Sequence, residues 1–228
     1  MSKKIFIDAG HGGNDPGAVN SSRQEKADNL RFSLALGKRL QENGFQVLQS
    51  RTTDVALSLN DRSRAANNWK ADLAIIVHRN SFSNASANGQ EVWIYTKVDQ
   101  KTKNFANAIY NEIINVYAQS KRGVKQSDLH MVRETSMPAV LLEIGFISNT
   151  LDNQKFDEHF NSYVEAVTKA ICKEFGVAYM AGNSSSTLRP NGQLFKVQIG
   201  AFSNRANAEN VLQKAKNAGF SDCYITQS

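Results

Sequence analysis

The stretch "ADLAIIVH", residues 71–78, is an apolar run with one aspartate near its start and a histidine at its end. Such a run is typical of a strand that is buried on both faces, as in the middle of a parallel sheet. A second run of this kind is "AVLLEIGF", residues 139–146, with a glutamate inside it. Two such strands predict a sheet that is covered by helices on both sides.

Further strands and helices alternate along the chain on either side of these two runs. Strands are predicted over residues 5–10, 45–51, 91–97 and, nearer an edge, 128–133. Helices are predicted over 29–42, with Leu30, Leu34 and Leu40 on one face and Gly44 at its end, and over 58–69, with Ser58 or Asn60 as cap. Later helices carry apolar stripes: Phe105, Ile109, Ile113 and Val116, then Phe156, Phe160, Val164, Val167 and Ile171. The predicted fold class is α/β, a mostly parallel twisted sheet with helices on both faces.

After Phe175 the composition changes. Residues 180–193, "MAGNSSSTLRPNGQ", are small and polar, which predicts a linker. Beyond it, "LFKVQIGAF" and "CYIT" predict strands, and the segment between them predicts an amphipathic helix. We therefore expect a small C-terminal β-α-β module.

Composition limits the classes of partner and compartment. The chain has 228 residues, a formal charge of +6 and a pI near 9.3, a balance that favours acidic polymers such as nucleic acid or an anionic cell wall. No run approaches the length of a membrane helix, and no apolar segment of a signal peptide precedes the first strand. Cys172 and Cys223 are too few and too far apart for a disulfide framework or a CxxC zinc site.

A glycine-rich loop, "IDAGHGGNDPGA" (residues 7–18), follows the first strand and contains His11. A Walker loop would end in Gly-Lys-Ser/Thr, which is absent here. A dinucleotide fingerprint would need glycine at position 15, where the chain has Asp15. Because both phosphate-binding interpretations are weakened, the histidine is the feature to explain.

Candidate catalytic residues follow three of the predicted strands. His11 follows the first strand, His78 ends another, and Glu143 lies late in a third, so all three are expected at the same edge of the sheet. Glu25 lies in a polar segment before the first helix. Two histidines and a carboxylate around an open position make a catalytic zinc site, and a second carboxylate could then act as general base.

Each of these residues also has a structural interpretation. His11 could be a turn histidine, His78 a histidine satisfied at a strand end, and Glu25 a solvated charge beside Arg23 and Lys26. Glu143 is harder to explain in this way, because a carboxylate inside an apolar strand is costly unless it is paired or metal-bound. The two other histidines, His130 and His159, are expected on the rim of the site and on the exposed face of the last helix, respectively.

Five motifs, in order, carry a family resemblance: "IDAGHGG.DPGA", "QEK..N", "SRT.D..LSLNDRS.AAN", "VHRNS" and "MPAVLLEIGFISN". Over residues 3–176 the chain closely resembles the zinc-dependent N-acetylmuramoyl-L-alanine amidases, which cut bacterial peptidoglycan. The resemblance implies a phosphorylase/hydrolase-like α/β fold, a Zn²⁺ ion held by His11, Glu25 and His78, and Glu143 as the catalytic glutamate. Arg79 departs from the commoner pattern, in which a smaller or apolar residue follows the second histidine.

The tail resembles half of a SPOR domain, a module associated with binding peptidoglycan glycan strands. The expected layout is a catalytic zinc amidase domain over 1–178, a flexible linker over 179–192 and a half SPOR-like wall-binding module over 193–228. A single β-α-β unit leaves its sheet edges open, so we expect a homodimer through residues 193–228. Peptidoglycan is the expected partner, with neither nucleic acid nor a membrane.

The resemblance implies hydrolysis of the amide between N-acetylmuramic acid and L-alanine of the stem peptide, in a phage endolysin or a mother-cell autolysin. Such an enzyme is expected to be made in the cytoplasm without a signal peptide and to act on the wall after release. Two alternatives stay open: a zinc carboxypeptidase acting on peptides, and a non-enzymatic cell-wall-binding protein.

Overall fold

The computed structural model describes residues 2–117, 120–182, 199–217 and 223–225. The chain divides into two compact units, residues 1–183 and residues 184–228. The first unit contains the sheet and the helices that cover it. None of the helices in the described part of the chain has the length and apolar character that crossing a bilayer requires.

Six strands of the first unit form one sheet. In chain order the strands of this unit are β1 (Lys4–Ala9), β2 (Val19–Asn20), β3 (Arg23–Gln24), β4 (Gln46–Gln49), β5 (Leu73–Asn80), β6 (Gln90–Ile94), β7 (Lys121–Gln126) and β8 (Ala139–Phe146). The main sheet has the order β4-β1-β5-β8-β6-β7, and β2 and β3 form a small separate hairpin. All neighbours in the main sheet are parallel except β8 and β6. The sheet is therefore mostly parallel, as predicted.

Helices cover both faces of this sheet. They are α1 (Glu25–Glu42), α2 (Leu59–Trp69), α3 (Gln100–Val116), α4 (His130–Arg133), α5 (Thr150–Glu158) and α6 (Phe160–Phe175), with α7 (Arg205–Asn217) in the second unit. Ile75 of β5 packs in the core shared with α1, α3 and α6, whereas the next residue, Ile76, packs with residues of α2 and α4. Both side chains are fully buried, and the burial of each contributes about 1.5–3 kcal/mol to the free energy of folding. The prediction that this strand is buried on both faces is confirmed.

The first helix begins earlier than the sequence predicts. Glu25 is its first residue, whereas the local sequence predicts a polar segment there that precedes the helix. The core face is also different: Leu40 is buried as expected, but Leu34 is exposed and Leu30 only half-buried. The buried apolar residues of α1 are Phe32, Leu36 and Leu40.

Two other predicted elements are wrong. The predicted strand over residues 128–133, nearer an edge of the sheet, is absent: residues 130–133 form the short helix α4, and the edge strands are β4 and β7. The long last helix is two helices, α5 and α6, separated at His159. The other predicted helix features hold: the hydroxyl of Ser58 caps α2 by accepting from the backbone N–H of Asp61 at 3.1 Å, and Gly44, with φ +84°, follows the end of α1.

The first residues of the predicted linker are fixed to the first unit. Tyr179 packs against the core, and the backbone N–H of Met180 donates to Asn43 at 2.7 Å. In the second unit the predicted helix is confirmed as α7. Most of the first predicted strand of that module, residues 194–198, and the end of the second lie outside the described residues.

Candidate metal centre

The loop after β1 holds His11 in an unusual backbone conformation. His11 has φ +62°, a left-handed value that costs a non-glycine residue about 1–2 kcal/mol. Gly12 and Asp15 exchange backbone hydrogen bonds of 2.9 and 3.1 Å, which closes a tight turn. The carboxylate of Asp15 also lies 2.7 Å from Nδ1 of His11. This contact leaves Nε2 of His11 to face Glu25, at 3.2 Å.

Two glycines let the backbone approach the candidate ligands closely. A Cβ atom at Gly10 would lie 2.4 Å from the imidazole of His78, and one at Gly17 would lie 2.6 Å from both Glu25 Oε2 and the ring of His11. Neither distance is compatible with a side chain. The glycines at these two positions are therefore explained by the space that the histidines and the glutamate occupy.

Glu25 is buried at the first turn of α1. Its carboxylate accepts hydrogen bonds from the backbone N–H groups of Ala18, at 2.9 Å, and Arg79, at 3.1 Å. Burial alone would raise the pKa of Glu25, but the hydrogen bonds with His11 and His78 hold it well below its ordinary value. Burial likewise would lower the pKa of His11, and the carboxylates of Glu25 and Asp15 outweigh this and raise it.

His78, near the end of β5, completes the cluster. Its Nδ1 lies 2.7 Å from Glu25 Oε1, and its ring meets that of His11 edge to face with centroids 4.9 Å apart. One ligand atom each from His11, Glu25 and His78 lies within 4.8 Å of the others. Two imidazole nitrogens and one carboxylate oxygen are ligands that a divalent transition metal accepts, and the Asp15 contact fixes the orientation of one imidazole, as is usual around such metals. The residues present fit a metal ion.

Glu143 lies beside this cluster in the sheet. It is the Cα partner of His78 in the parallel pairing of β5 and β8, so the two side chains project from the same face. Its Oε2 is buried and has no hydrogen-bond partner among the described residues. Burial, and then the carboxylates of Glu25 and Glu91, raise the pKa of Glu143 well above its ordinary value.

Two buried arginines, which are not among the candidate residues predicted from the sequence, hold the loop that carries His11. Arg62 donates to the carbonyls of Ala9 and His11, both at 2.7 Å, and pairs with the buried Asp8 at 2.8 Å. Arg51 donates to the carbonyls of Ala9 and Gly10, at 3.0 and 3.1 Å. Both residues lie in motifs of the family resemblance, and that was the signal that could have marked them.

Arg79 does not take part in the site through its side chain. It lies on the opposite face of β5 from His78, where its guanidinium donates to Asp28 at 2.6 Å and lies over the ring of Phe156 at 4.2 Å. Its burial is almost complete, and burial lowers its pKa to about 10. The departure from the expected pattern is therefore accommodated in the core.

The two remaining histidines have different surroundings. Nε2 of His130, at the start of α4, lies 3.2 Å from the hydroxyl of Ser63 on α2. His159 was expected on the exposed face of a helix; it instead stands at the junction of α5 and α6 and stacks on Tyr117 with ring centroids 5.8 Å apart. Neither belongs to the group that could hold a metal.

Comparison with known proteins finds relatives of both units of the chain. A family model described as N-acetylmuramoyl-L-alanine amidase matches residues 5–173, and one described as SPOR domain matches residues 173–227. A sporulation-specific N-acetylmuramoyl-L-alanine amidase of Bacillus subtilis is 39% identical over 95% of this chain and 82% of its own. An endolysin of Bacillus phage SPP1 is 35% identical over 81% of this chain and 70% of its own.

Solved structures show the same fold. The catalytic domain of CwlV, an N-acetylmuramoyl-L-alanine amidase from Bacillus (Paenibacillus) polymyxa var. colistinus, aligns with a TM-score of 0.72 and 34% identity, covering 77% of this chain and 99% of its own. An N-acetylmuramoyl-L-alanine amidase from Clostridium difficile 630 aligns with a TM-score of 0.74 and 32% identity, covering 77% and 97%. The chain belongs to the N-acetylmuramoyl-L-alanine amidases, the hydrolases that cut the bond between N-acetylmuramic acid and L-alanine in the bacterial cell wall.

Proposed function

We infer that the amidase depends on zinc, with His11, Glu25 and His78 as its metal ligands and Glu143 as its catalytic glutamate. One observation carries this proposal: ligand atoms of the three residues lie within 4.8 Å of one another, beside a glutamate whose Oε2 is buried and has no hydrogen-bond partner in the part of the chain that the structure describes. Two histidines, one carboxylate and an open position are the ligand set of catalytic zinc sites.

Zinc, when bound at this site, polarises the scissile carbonyl and lowers the pKa of the attacking water. Glu143 then takes a proton from that water while the oxygen of the water bonds to the carbonyl carbon. As the carbon–nitrogen bond breaks, Glu143 gives the proton to the departing nitrogen of L-alanine, because an amine leaves poorly unless it is protonated. The products are a carboxylate on the muramic acid and a free amine on the peptide.

The second unit is proposed to bind the cell wall. The match of the SPOR domain model to residues 173–227 supports this role, and α7 carries Arg205, Lys214 and Lys216, whose charge favours an anionic wall. The proposed layout is a catalytic domain over 1–178, a linker over 179–192 and the wall-binding module over 193–228.

Mass spectrometry of digested peptidoglycan, combined with metal analysis of the purified full chain, tests the proposal. A zinc amidase carries about one zinc ion per chain and releases peptides with a free alanine amine. A carboxypeptidase would shorten the stem peptide from its other end, and a binding protein would release nothing. Activity that survives complete removal of the metal would overturn the zinc assignment.

A further inference from the structure

A buried carboxylate next to Glu143 forms ion pairs with two cationic side chains. Glu91 of β6 is only 1% exposed and is the Cα partner of Glu143 in the antiparallel pairing of β6 and β8. Its Oε1 accepts from Arg122 and, at 2.6 Å, from Lys125, both on the edge strand β7. Its Oε2 accepts from Asn80 at 3.1 Å and from the indole of Trp93 at 2.9 Å.

A β-bulge places the two cations on the same face of the sheet. Residues 122 and 125 are separated by an odd number of positions, so a regular strand would point them to opposite faces. The pairing of β6 with β7 steps from Gln90 opposite Lys121 to Val92 opposite Val124, so β7 contains one extra residue there. Gly123, with φ +86°, supplies the backbone conformation for this step. Bulges next to active sites commonly redirect a side chain in this way.

The cations are held in place but remain accessible. Arg122 lies over the ring of Phe146 at 4.8 Å, and Lys125 over the ring of Trp93 at 5.2 Å. Their side chains are still 32% and 33% exposed. Among the described residues these two cations share one carboxylate, Glu91, so within this group of three side chains one positive charge is left unpaired on a partly exposed surface.

This charge lies within reach of the scissile bond. His78, Glu143 and Glu91 form a row across β5, β8 and β6, and β7 is the next strand. Neighbouring strands are about 4.8 Å apart, so β7 lies about 14 Å from β5, and the long side chains of Arg122 and Lys125 shorten that gap. An extended peptide advances about 3.4 Å per residue, so the cations are about two or three residues from the reacting amide.

We propose that Arg122 and Lys125, positioned by Glu91, form a subsite for a carboxylate on the peptide side of the scissile amide. The lactyl carboxyl group of muramic acid is consumed in that amide, so the adjoining sugar offers no carboxylate and the anion must belong to the peptide. The subsite selects stem peptides with a free carboxylate over those in which it is an uncharged amide. This inference rests on the proposed function, because it places the peptide beside Glu143.

The test compares two soluble muramoyl peptides that differ only in this group, one with free peptide carboxylates and one with the same carboxylates converted to amides. The zinc-loaded full chain is assayed for kcat/KM on each by mass spectrometry of the released peptide. We expect a preference of about tenfold for the carboxylate form, the size of a charge-assisted hydrogen bond. The ratio of kcat/KM for the carboxylate form to kcat/KM for the amide form should fall towards one in Lys125→Gln and in Arg122→Gln. Lys121→Gln, which removes an exposed cation from the same strand, should retain it.

The ratio of the two kcat/KM values separates recognition from structural damage. A purely structural role for Lys125 would lower both values by the same factor, and the unchanged ratio would overturn the proposal. Equal kcat/KM values in the wild type would also overturn it. If the substituted chains do not fold, the proposal is tested by the salt dependence of the wild-type ratio. Salt screens partly exposed cations, so the ratio should shrink at high ionic strength, and a ratio that does not change with salt would overturn the proposal. Cleavage of neither substrate, or cleavage at another bond, would count against the proposed function.

Discussion

His78 and Glu143 are direct neighbours across the parallel strands β5 and β8, with their Cα atoms in register. The pairing gives a candidate ligand and a candidate proton carrier a fixed separation, set by the hydrogen bonds of the sheet. The other two candidate ligands come from less regular structure, a tight turn and the start of a helix. Each part of this arrangement leads to a separate prediction.

His11→Ala and His78→Ala should lose bound zinc, because two protein ligands are too few to hold the ion tightly. Metal analysis of the purified variants by inductively coupled plasma mass spectrometry measures this directly. His159→Ala is the matched control, since that histidine stands at a helix junction outside the candidate metal group. Full zinc occupancy in both site variants would contradict the ligand assignment.

Glu143→Gln should keep zinc and lower turnover by roughly a hundred- to ten-thousandfold, the usual contribution of a general base. The substitution preserves shape and removes only the ability to carry the proton. Steady-state kinetics on wall fragments, with metal content measured on the same sample, separates the two effects. A variant within threefold of the wild type would assign Glu143 a structural role.

Asp15→Asn should weaken zinc binding by about ten- to a hundredfold, because it removes the carboxylate that orients the imidazole of His11. Competition with a chromogenic chelator gives the affinity. Asp61→Asn, which changes an exposed carboxylate on α2, is the control and should bind zinc as the wild type does. Equal affinities for Asp15→Asn and the wild type would show that the turn alone orients the ring.

Gly17→Ala and Gly44→Ala should differ in metal binding although both glycines have positive φ, +65° and +84°. Alanine at either position costs about 1–2 kcal/mol of stability. Only the new Cβ at position 17 meets Glu25 and His11, whereas a Cβ at position 44 has no atom of the described residues, apart from its chain neighbours, within 4 Å. The melting temperature should therefore fall in both variants, whereas the zinc content should fall only in Gly17→Ala. Loss of zinc from Gly44→Ala as well would point to general unfolding.

The full chain should be a dimer through residues 193–228, and light scattering at micromolar concentration measures its mass. In the described part of the second unit, Ile199, Phe202 and Tyr224 are exposed apolar side chains that association could cover. Phe202→Asp should shift the mass towards that of a monomer, while Phe82→Asp, at an exposed apolar position in the first unit, should not. A wild-type chain that is already monomeric would refute the prediction.

Local sequence signals predicted the middle of the sheet and the edge strand β4, and missed the other edge strand, β7. The runs at residues 71–78 and 139–146 identify β5 and β8 because burial on both faces requires continuous apolar residues. The edge strand β7, "KRGVKQ", is polar and contains a glycine at a bulge, so its strand character comes from pairing with β6. The start of α1 was missed because Gln24 caps it without a side-chain hydrogen bond, which removes the usual signal.

The residues of the candidate site could be predicted from the sequence, but the contacts and distances between them could not. The family motifs and the strand ends indicated His11, Glu25, His78 and Glu143, and the structure brings the first three together. Arg51 and Arg62 lie in the family motifs, but their role as buried supports, binding backbone carbonyls of a loop far away in sequence, is visible only in the tertiary packing. Nothing local in the sequence marks an arginine as buried rather than solvated.

The strand order has a consequence for how the protein is made. β8 is the last strand of the sheet to leave the ribosome, yet it lies between β5 and β6 in the middle. A nascent chain that ends before residue 139 therefore lacks both the strand that joins the two halves of the sheet and Glu143. Contacts between segments so distant in sequence form late and slowly. We therefore expect wall-cutting activity to be absent from incomplete chains and to arise in one step when β8 inserts between β5 and β6.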